Sequence, residues 1–219
     1  MAQIRFRSAS HLALSITLLV GITGFLNNST SSAATAKPFV VKSICGATGK
    51  NPCKVGQIGP GGGTIFFVDY HQLYSSFDYL EAAPDVWAGV LGVDPTSEWC
   101  SNTDTKIELG LNAWSSRAIG LGLSNTKTML ANCSSGAANL IATYNSSAYA
   151  KKRDWFLPSI GEIILMSNNL QGLAGLLASD YWSSSGSSEV GGWVQSFDHS
   201  YQGEATKGTL YHVRPVRRF

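Results

Sequence analysis

The stretch Tyr181-Trp182-Ser183-Ser184-Ser185, with Trp193-Val194-Gln195-Ser196-Phe197 and the closing Val213-Arg214-Pro215-Val216-Arg217-Arg218-Phe219, decides the fold class. Aromatic and β-branched residues dominate these runs, and segments rich in Gly, Ser, Asp and Lys separate them. The pattern predicts three short antiparallel strands, the third over residues 211–216. Two loops, at residues 186–192 and 199–208, are expected to connect them.

Two further strands are predicted upstream. Residues 59–63, Gly-Pro-Gly-Gly-Gly, run into the apolar residues 64–69, which indicates a tight turn followed by a buried strand. This glycine-rich loop enters a strand and not a helix, and no Lys-Ser/Thr pair follows it, so a phosphate-binding role is excluded. Residues 79–84 form the second strand, which Pro84 ends.

Helices are expected in the middle of the chain. Apolar residues at helical spacing over residues 126–132 and 137–144 predict one interrupted helix or two short ones. Ser159 and Glu162 form a capping box, which predicts that a clearer helix starts there. The irregular region at residues 88–122 contains Trp99 and Trp114, whose rings are expected to anchor it to the core.

Four separated motifs resemble a known bacterial family. They are the glycine loop with its strand, the Tyr79-Leu80-Glu81-Ala82-Ala83-Pro84 run followed by Trp87, the Trp155-Phe156-Leu157-Pro158-Ser159 run, and the C-terminal stretch. Together, over roughly residues 56–218, they resemble the Lcl C-terminal-domain family, found at the end of collagen-like adhesins. The resemblance implies an α+β, C-type-lectin-like fold with a short antiparallel sheet, two or three helices and long loops, stapled by disulfides.

The resemblance does not transfer every property of its relatives. The collagen-like stalk of the namesake adhesins is absent from this sequence. The Glu-Pro-Asn, Gln-Pro-Asp and Trp-Asn-Asp motifs of calcium-dependent lectins are absent as well. Formylglycine-generating enzymes use cysteines late in the domain, but no Cys follows Cys133 in this sequence. Calcium-dependent sugar binding and oxidative chemistry are therefore not implied.

The N-terminal residues have the order of a secretory signal peptide. Arg5 and Arg7 precede an apolar run of about fifteen residues, which is shorter than a bilayer span, and an Ala-Thr-Ala site follows at residues 34–36. We expect a signal peptide at residues 1–36, a Cys-bracketed lead-in at 37–54 and the Lcl-like domain at 55–219. A secreted or extracytoplasmic protein without a membrane span after cleavage is predicted, with cell-surface association left open.

The charge balance excludes nucleic acid as the partner. Without Arg5 and Arg7, the 16 Lys and Arg become 14 and match the 14 Asp and Glu. A neutral chain lacks the clustered cations that phosphate neutralisation requires. The dense basic groups at residues 151–153 and at Arg214, Arg217 and Arg218 are expected to be solvated charge.

All four cysteines are candidates for disulfide bonds. Their even number and the predicted export favour two disulfides over a zinc site, and no Cys-x-x-Cys pair is present. Of the three possible pairings, Cys45 with Cys53 and Cys100 with Cys133 is preferred, because the first two flank a Gly-containing turn.

No catalytic motif stands out, and no metal site or cofactor is predicted. The histidines lack metal-ligand spacing, and the serines lack a Gly-x-Ser-x-Gly elbow. A Ser-His-Asp triad with His199 or His212 stays a minor alternative. Paired carboxylates could support glycoside hydrolysis, and the candidates are Glu81, Glu162, Asp180, Glu189 and Asp198.

The favoured function is an exported, non-catalytic binding module, adhesin-like, for an uncharacterised glycan or protein ligand. The alternative is an extracytoplasmic hydrolase that uses paired carboxylates in a cleft. Stiff aromatic and small polar residues in the two C-terminal loops resemble those of binding loops. The candidate ligand-binding residues are Glu189, His199, Tyr201, Gln202, Glu204 and Lys207, with Trp182, Trp193 and Phe197 assigned to the core.

Overall fold

A computed structural model describes residues 41–219, apart from residues 47, 108, 110–115 and 174. These residues belong to the unit Pro38–Phe219. The predicted signal peptide and Trp114 lie outside the described residues. Among the described helices, none is long and apolar enough to cross a bilayer.

Three helices and ten short strands follow one another along the described chain. Their bounds are β1 Ser43–Cys45, β2 Asn51–Pro52, β3 Thr64–Val68, β4 Tyr79–Ala82, β5 Thr96–Ser97, α1 Gly122–Asn132, α2 Ala137–Ser146, α3 Ile160–Leu170, β6 Asp180–Gly186, β7 Gly191–Ser196, β8 Gln202–Thr206, β9 Tyr211–His212 and β10 Val216–Arg218. The mixture confirms the α+β class.

The strands form three sheets. β1 and β2 pair as a hairpin, β4 lies between β10 and β3, and the largest sheet has the order β5-β9-β6-β7-β8. Helix α3 packs between the two larger sheets, in contact with β3 on one side and with β6 and β7 on the other. Its buried face, which includes Ile163 and Met166, therefore joins the two sheets into one core.

The prediction of three antiparallel C-terminal strands is only partly right. β6, β7 and β8 are an antiparallel meander, but the run at residues 211–216 splits into β9 and β10, which belong to different sheets. β9 pairs with β6 in parallel. Pro215 lies in the crossing because it has no N–H to donate to a ladder, while its carbonyl accepts from Ala83 N at 2.8 Å.

The second predicted loop, at residues 199–208, is wrong in extent. Its central part is strand β8, which pairs with β7 from Gln202↔Gln195 to Thr206↔Gly191. The residues of β8 alternate between greater and lesser exposure, as a half-buried strand does. The sequence pattern did not indicate this strand, because the less exposed face of β8 carries only the small residues Gly203 and Ala205 and no large apolar side chain.

The capping box of α3 is confirmed. Ser159 Oγ accepts from Glu162 N, and the Glu162 carboxylate accepts from Ser159 N at 2.8 Å. The two upstream segments are separate helices, since Gly136 adopts φ 130° between them, a left-handed conformation that favours glycine. A Cβ at this position would lie 2.7 Å from Trp99 O, so the close approach also requires glycine.

Both predicted disulfides are confirmed. Cys45 bonds to Cys53, and Cys100 bonds to Cys133. The first closes the β1–β2 hairpin, whose cysteines pack with Tyr79 and Val68. The second attaches the segment after β5 to the end of α1. Trp99, directly before Cys100, is buried as expected and donates from Nε1 to Ser183 O at 2.7 Å.

The expectation of solvated arginines near the C-terminus is wrong for Arg214 and Arg217, both of which are buried. Arg214 Nε lies 2.8 Å from Asp94 Oδ1, and Arg217 Nη1 lies 3.1 Å from Glu81 Oε2. A buried guanidinium requires such a counter-charge. The aspartate and glutamate that provide it lie far away in sequence, so local charge density could not reveal it.

Candidate ligand-binding surface on strands β7 and β8

One face of the β7–β8 pair carries exposed polar side chains. On β8 the exposed positions are Gln202, Glu204 and Thr206, which alternate with Gly203 and Ala205. Glu204 is the cross-strand partner of the partly exposed Trp193 on β7. Because directly paired residues share a face, the indole and the carboxylate lie side by side.

The indole of Trp193 forms the centre of this face. The guanidinium carbon of Arg117, from the segment before α1, lies 4.0 Å from the centroid of a Trp193 ring, a cation–π contact. Burial lowers the pKa of Arg117, and the negative charge of Glu204 opposes that shift. A cavity of about 340 Å³ opens here. Arg117, Ile160, Gly161, Ile164, Trp193 and Gln202 line it, and with Glu204 they form what we call the Trp193 surface.

Buried partners hold the polar part of the Trp193 surface in place. Gln202 Nε2 donates to Gln195 Oε1 at 2.8 Å. Gln195 is itself buried, and its Nε2 donates to Ser196 O at 2.7 Å. A ligand would therefore meet a Gln202 amide whose orientation is already restricted, which lowers the entropy lost on binding.

The structure does not bring the six predicted ligand residues together. Glu189 is exposed in the turn between β6 and β7, whereas His199 is exposed in the turn between β7 and β8. These turns lie at opposite ends of β7, roughly 20 Å apart at about 3.3 Å per residue. Only Gln202 and Glu204 belong to the Trp193 surface.

Tyr201 and Lys207 also lie elsewhere. Tyr201 is half exposed, and a Cβ at Gly203 would lie 3.0 Å from Tyr201 Cε2, which places the ring on the opposite face of β8 from Gln202. Lys207 is buried, and its Nζ donates to Thr105 O at 2.7 Å. Lys207 thus anchors the segment before Ile107 and is not available to a ligand.

The two buried carboxylates among the hydrolase candidates are engaged in the fold. Glu81 accepts from Gly61 N, Gly63 N and Arg217 Nη1, and Glu162 accepts from Ser159 N and Gly120 N. Asp180 and Asp198 lie at one end of the β6–β7 pair, and Glu189 lies in the turn at the other end. In the described part of the chain, no group of three His, Cys, Asp or Glu residues could hold a metal ion.

The serines of the deciding stretch have structural roles. The Ser183 hydroxyl donates to Trp193 O at 2.8 Å, and the Ser185 hydroxyl donates to Ser116 O at 2.7 Å. Ser184 Oγ accepts from Asn125 Nδ2. All three are buried, while His199 is exposed in a turn and His212 Nδ1 bonds to the backbone oxygen of Asp94. This geometry does not form a Ser-His-Asp triad.

The sequence interpretation did not include Arg117, Ile160 and Ile164, and it assigned Trp193 to the core. Trp182 and Phe197 are buried as expected, but Trp193 retains partial exposure. The alternation Gln-Gly-Glu-Ala-Thr at residues 202–206 is the signal that could have placed Gln202 and Glu204 on one face of a strand. Nothing local points to Arg117.

Glu162 should make stability depend on pH. Burial raises the pKa of its carboxyl from 4.5 to about 7, against hydrogen bonds from Ser159, Gly120 and Gly122 N–H and the charge of Arg218. Because the folded state binds the proton more tightly, this stabilisation is complete below about pH 4.5 and is lost as pH rises through 7. We expect the free energy of unfolding to fall by about 3 kcal/mol from pH 4.5 to 8.

Urea unfolding at several pH values measures this slope. Glu162→Gln cannot ionise, so it should flatten the pH dependence of the free energy of unfolding. Its amide N–H₂ faces a backbone donor, so the variant should also be less stable than wild type at acid pH. Glu189→Gln, at an exposed carboxylate, should leave the slope unchanged. A wild-type profile that is flat between pH 5 and 8 would contradict the prediction.

Comparison with known proteins finds little similarity in sequence. No protein-family model matches the chain, and no curated protein matches it. Among solved structures, a fimbrial protein from Bacteroides ovatus ATCC 8483 is similar with a TM-score of 0.45 and 12% sequence identity. The aligned region covers 68% of this chain and 37% of that one, so the match spans little more than a third of the fimbrial protein chain.

Proposed function

We propose that the chain is an exported, non-catalytic, adhesin-like binding module on a C-type-lectin-like scaffold. The Trp193 surface binds its ligand, a glycan or a protein segment. One observation carries this proposal: a partly exposed indole, contacted by a guanidinium at 4.0 Å, lies beside Gln202 and Glu204 in a cavity. Aromatic area combined with fixed polar groups is typical of recognition sites.

A glycan is the better match for this chemistry. The amide of Gln202, the carboxylate of Glu204 and the guanidinium of Arg117 provide both donors and acceptors beside the exposed part of the Trp193 indole, which adds apolar contact area. The two disulfides support an oxidising, extracytoplasmic location. The proposed mature module, residues 37–219, keeps both.

The hydrolase alternative is not carried forward, because the buried carboxylates already bind backbone N–H groups and arginine. A hydrolase needs two carboxylates facing each other across a substrate, about 5 to 10 Å apart. Glu81 instead accepts hydrogen bonds from the glycine loop, and Glu162 accepts one from the residue that caps α3.

Glycan and protein arrays probed with residues 37–219 would identify the ligand, and calorimetry would measure its affinity. Gln202→Ala and Glu204→Ala should each weaken binding by about fivefold to 100-fold, because they remove hydrogen bonds at the centre of the site. Glu204 is exposed, so Glu204→Ala should keep the wild-type melting temperature. Gln202→Ala should lower it modestly, because the buried Gln195 Oε1 loses its donor, so its affinity is measured on the folded protein.

Glu189→Ala is the matched control, since it removes an exposed carboxylate from the turn at the far end of β7. Its affinity should equal that of the wild type. The proposal fails if folded Gln202→Ala and Glu204→Ala bind the identified ligand as wild type does. Release of a cleaved glycan during incubation would contradict the non-catalytic assignment.

A further inference from the structure

The geometry points to a second binding site, on the side of the domain formed by α2 and the segment after β4. A cavity of about 290 Å³ lies between Trp87 and the C-terminal half of α2. We infer that it binds an uncharged aromatic ring that carries one hydrogen-bonding group, such as a phenol or an indole. We call it the Trp87 pocket, and the lining residues that carry the inference are Trp87, Leu140, Thr143, Tyr144, Ser147 and Tyr149.

The inner wall of the Trp87 pocket is rigid. Trp87 Nε1 donates to Asp94 Oδ1 at 2.7 Å, and its ring meets that of Tyr144 edge to face with centroids 5.5 Å apart. Tyr144 in turn packs against Trp155 at 5.9 Å. Trp87 and Tyr144 are only 2% and 3% exposed. These two rings therefore fix the shape of the cavity, whereas the surface that a ligand can contact belongs to the more exposed Leu140 and Tyr149.

The outer wall is open to solvent. Tyr149, which follows α2, is 68% exposed although it lines the pocket. Val90 and Leu91, in the same segment as Trp87, are 58% and 70% exposed. An aromatic side chain therefore remains in water at the edge of a cavity, and two aliphatic side chains remain exposed in the chain segment that follows Trp87.

A hydroxyl group supplies the polarity of the pocket. Ser147 Oγ and Tyr144 Oη expose essentially no surface to the cavity, so the hydroxyl that a ligand can reach is that of the exposed Thr143. Burial raises the pKa of Tyr144 to about 12, so its hydroxyl keeps its proton at neutral pH. Thr143 Oγ1 donates to Asn139 O at 3.1 Å and can still accept. A phenol O–H or an indole N–H can donate to this oxygen, and the rest of a flat ring needs no polar partner.

The lining chemistry excludes other ligand classes. The described residues that line the pocket carry no charge, so an ionised ligand would lose hydration without gaining a counter-ion. A sugar ring brings more hydroxyls than these few groups can bond, and each unmatched hydroxyl opposes binding. A phenol or indole brings one polar group and a flat apolar surface. The Trp87 pocket therefore differs in specificity from the Trp193 surface, and this inference does not rest on the proposed function.

Titration with p-cresol, followed by the ¹⁵N amide signals of residues 37–219, tests the inference. We expect saturable shifts at Thr143, Ser147 and Tyr149, with a dissociation constant on the order of 1 mM for a ligand of this size. 4-Methylbenzoate, of similar shape but charged, should bind at least about tenfold more weakly. Methyl α-glucoside should not shift these signals.

Two pairs of variants locate the site. Tyr149→Ala should weaken p-cresol binding by about fivefold, whereas Tyr70→Ala, at another exposed tyrosine, should leave it unchanged. Thr143→Val, which keeps the shape but removes the hydroxyl, should weaken it by about threefold. The control is Ser146→Ala, whose hydroxyl is exposed and donates back to Ala142 O.

N-acetyl-tyrosinamide and a tyrosine-containing peptide distinguish the two sources of such a ring. If the peptide binds more than about tenfold more tightly than p-cresol, the ligand is a peptide side chain. If the two affinities are equal, the ligand is a free aromatic compound. Both outcomes support the pocket. The inference is overturned if p-cresol shifts map elsewhere, if 4-methylbenzoate binds equally well, or if folded Tyr149→Ala keeps wild-type affinity.

Discussion

Replacing Asp94 with alanine should lower the free energy of unfolding by about 4 kcal/mol or more. The side chain is buried, and its carboxylate accepts from Trp87 Nε1 at 2.7 Å and from Tyr181 Oη at 2.6 Å. It also lies 2.8 Å from Arg214 Nε. A single carboxylate thus connects the segment after β4 to β6 and to the C-terminal segment.

The size of the effect follows from what the substitution leaves behind. Arg214 is fully buried and would keep its hydrogen bonds to Ala83 O and Gly175 O but lose its counter-charge. Two neutral donors would lose their acceptor as well. Because Trp87 is one of these donors, the inner wall of the Trp87 pocket should loosen too.

Urea unfolding of Asp94→Ala measures the loss, and Asp94→Asn should give a smaller one because it keeps an acceptor of the same shape. Asp198→Ala, at a side chain that is 55% exposed, is the control and should stay within about 0.5 kcal/mol of wild type. If Asp94→Ala is too unstable to purify, the asparagine variant carries the test. A loss below about 1 kcal/mol in both variants would contradict the prediction.

Replacing Glu81 with alanine should cost about 3 to 5 kcal/mol, because this carboxylate organises the glycine loop. Its Oε1 accepts from Gly63 N at 2.7 Å, and its Oε2 accepts from Gly61 N and Arg217 Nη1, each at 3.1 Å. Arg217 retains a second counter-ion, since its Nε and Nη2 donate to Asp154 at 2.8 and 2.9 Å. The backbone donors of the loop have no comparable replacement.

Two measurements separate this role from a general loss of stability. Thermal unfolding gives the stability change, and hydrogen exchange at Gly61 and Gly63 should accelerate more than exchange in β7. Glu189→Ala, at an exposed glutamate, should alter neither. Slow exchange at both glycines in a folded Glu81→Ala variant would show that the loop does not depend on this carboxylate.

Local signals made much of the architecture predictable. The Ser159–Glu162 capping box specified where α3 begins, and Pro84 limited β4, because both act through the backbone of adjacent residues. The disulfide pairing was predictable for a different reason. Cys45 and Cys53 are only eight residues apart and flank a turn, so closing that small loop also assigned Cys100 to Cys133.

The candidate site was less accessible to sequence reasoning. Gln202 and Glu204 were among the predicted ligand-binding residues of the two loops. The composition that resembles binding loops also occurs in ordinary turns, so it grouped them with Glu189 and His199, which lie at opposite ends of β7. Lys207 was included as a charged loop residue, although its ammonium group is buried against Thr105 O. Composition identifies polarity but not the face of a strand.

The sequence by itself determined the α+β class, the element boundaries set by caps and proline, and both disulfides, because these depend on neighbours along the chain. Only the tertiary structure decided that Arg214 and Arg217 are buried, that residues 211–218 divide between two sheets, and that Arg117 meets Trp193. The partners of the two arginines lie 120 and 136 positions away, and a charged group is buried only where such a distant counter-charge meets it. That meeting is a property of the packed core and not of any local pattern.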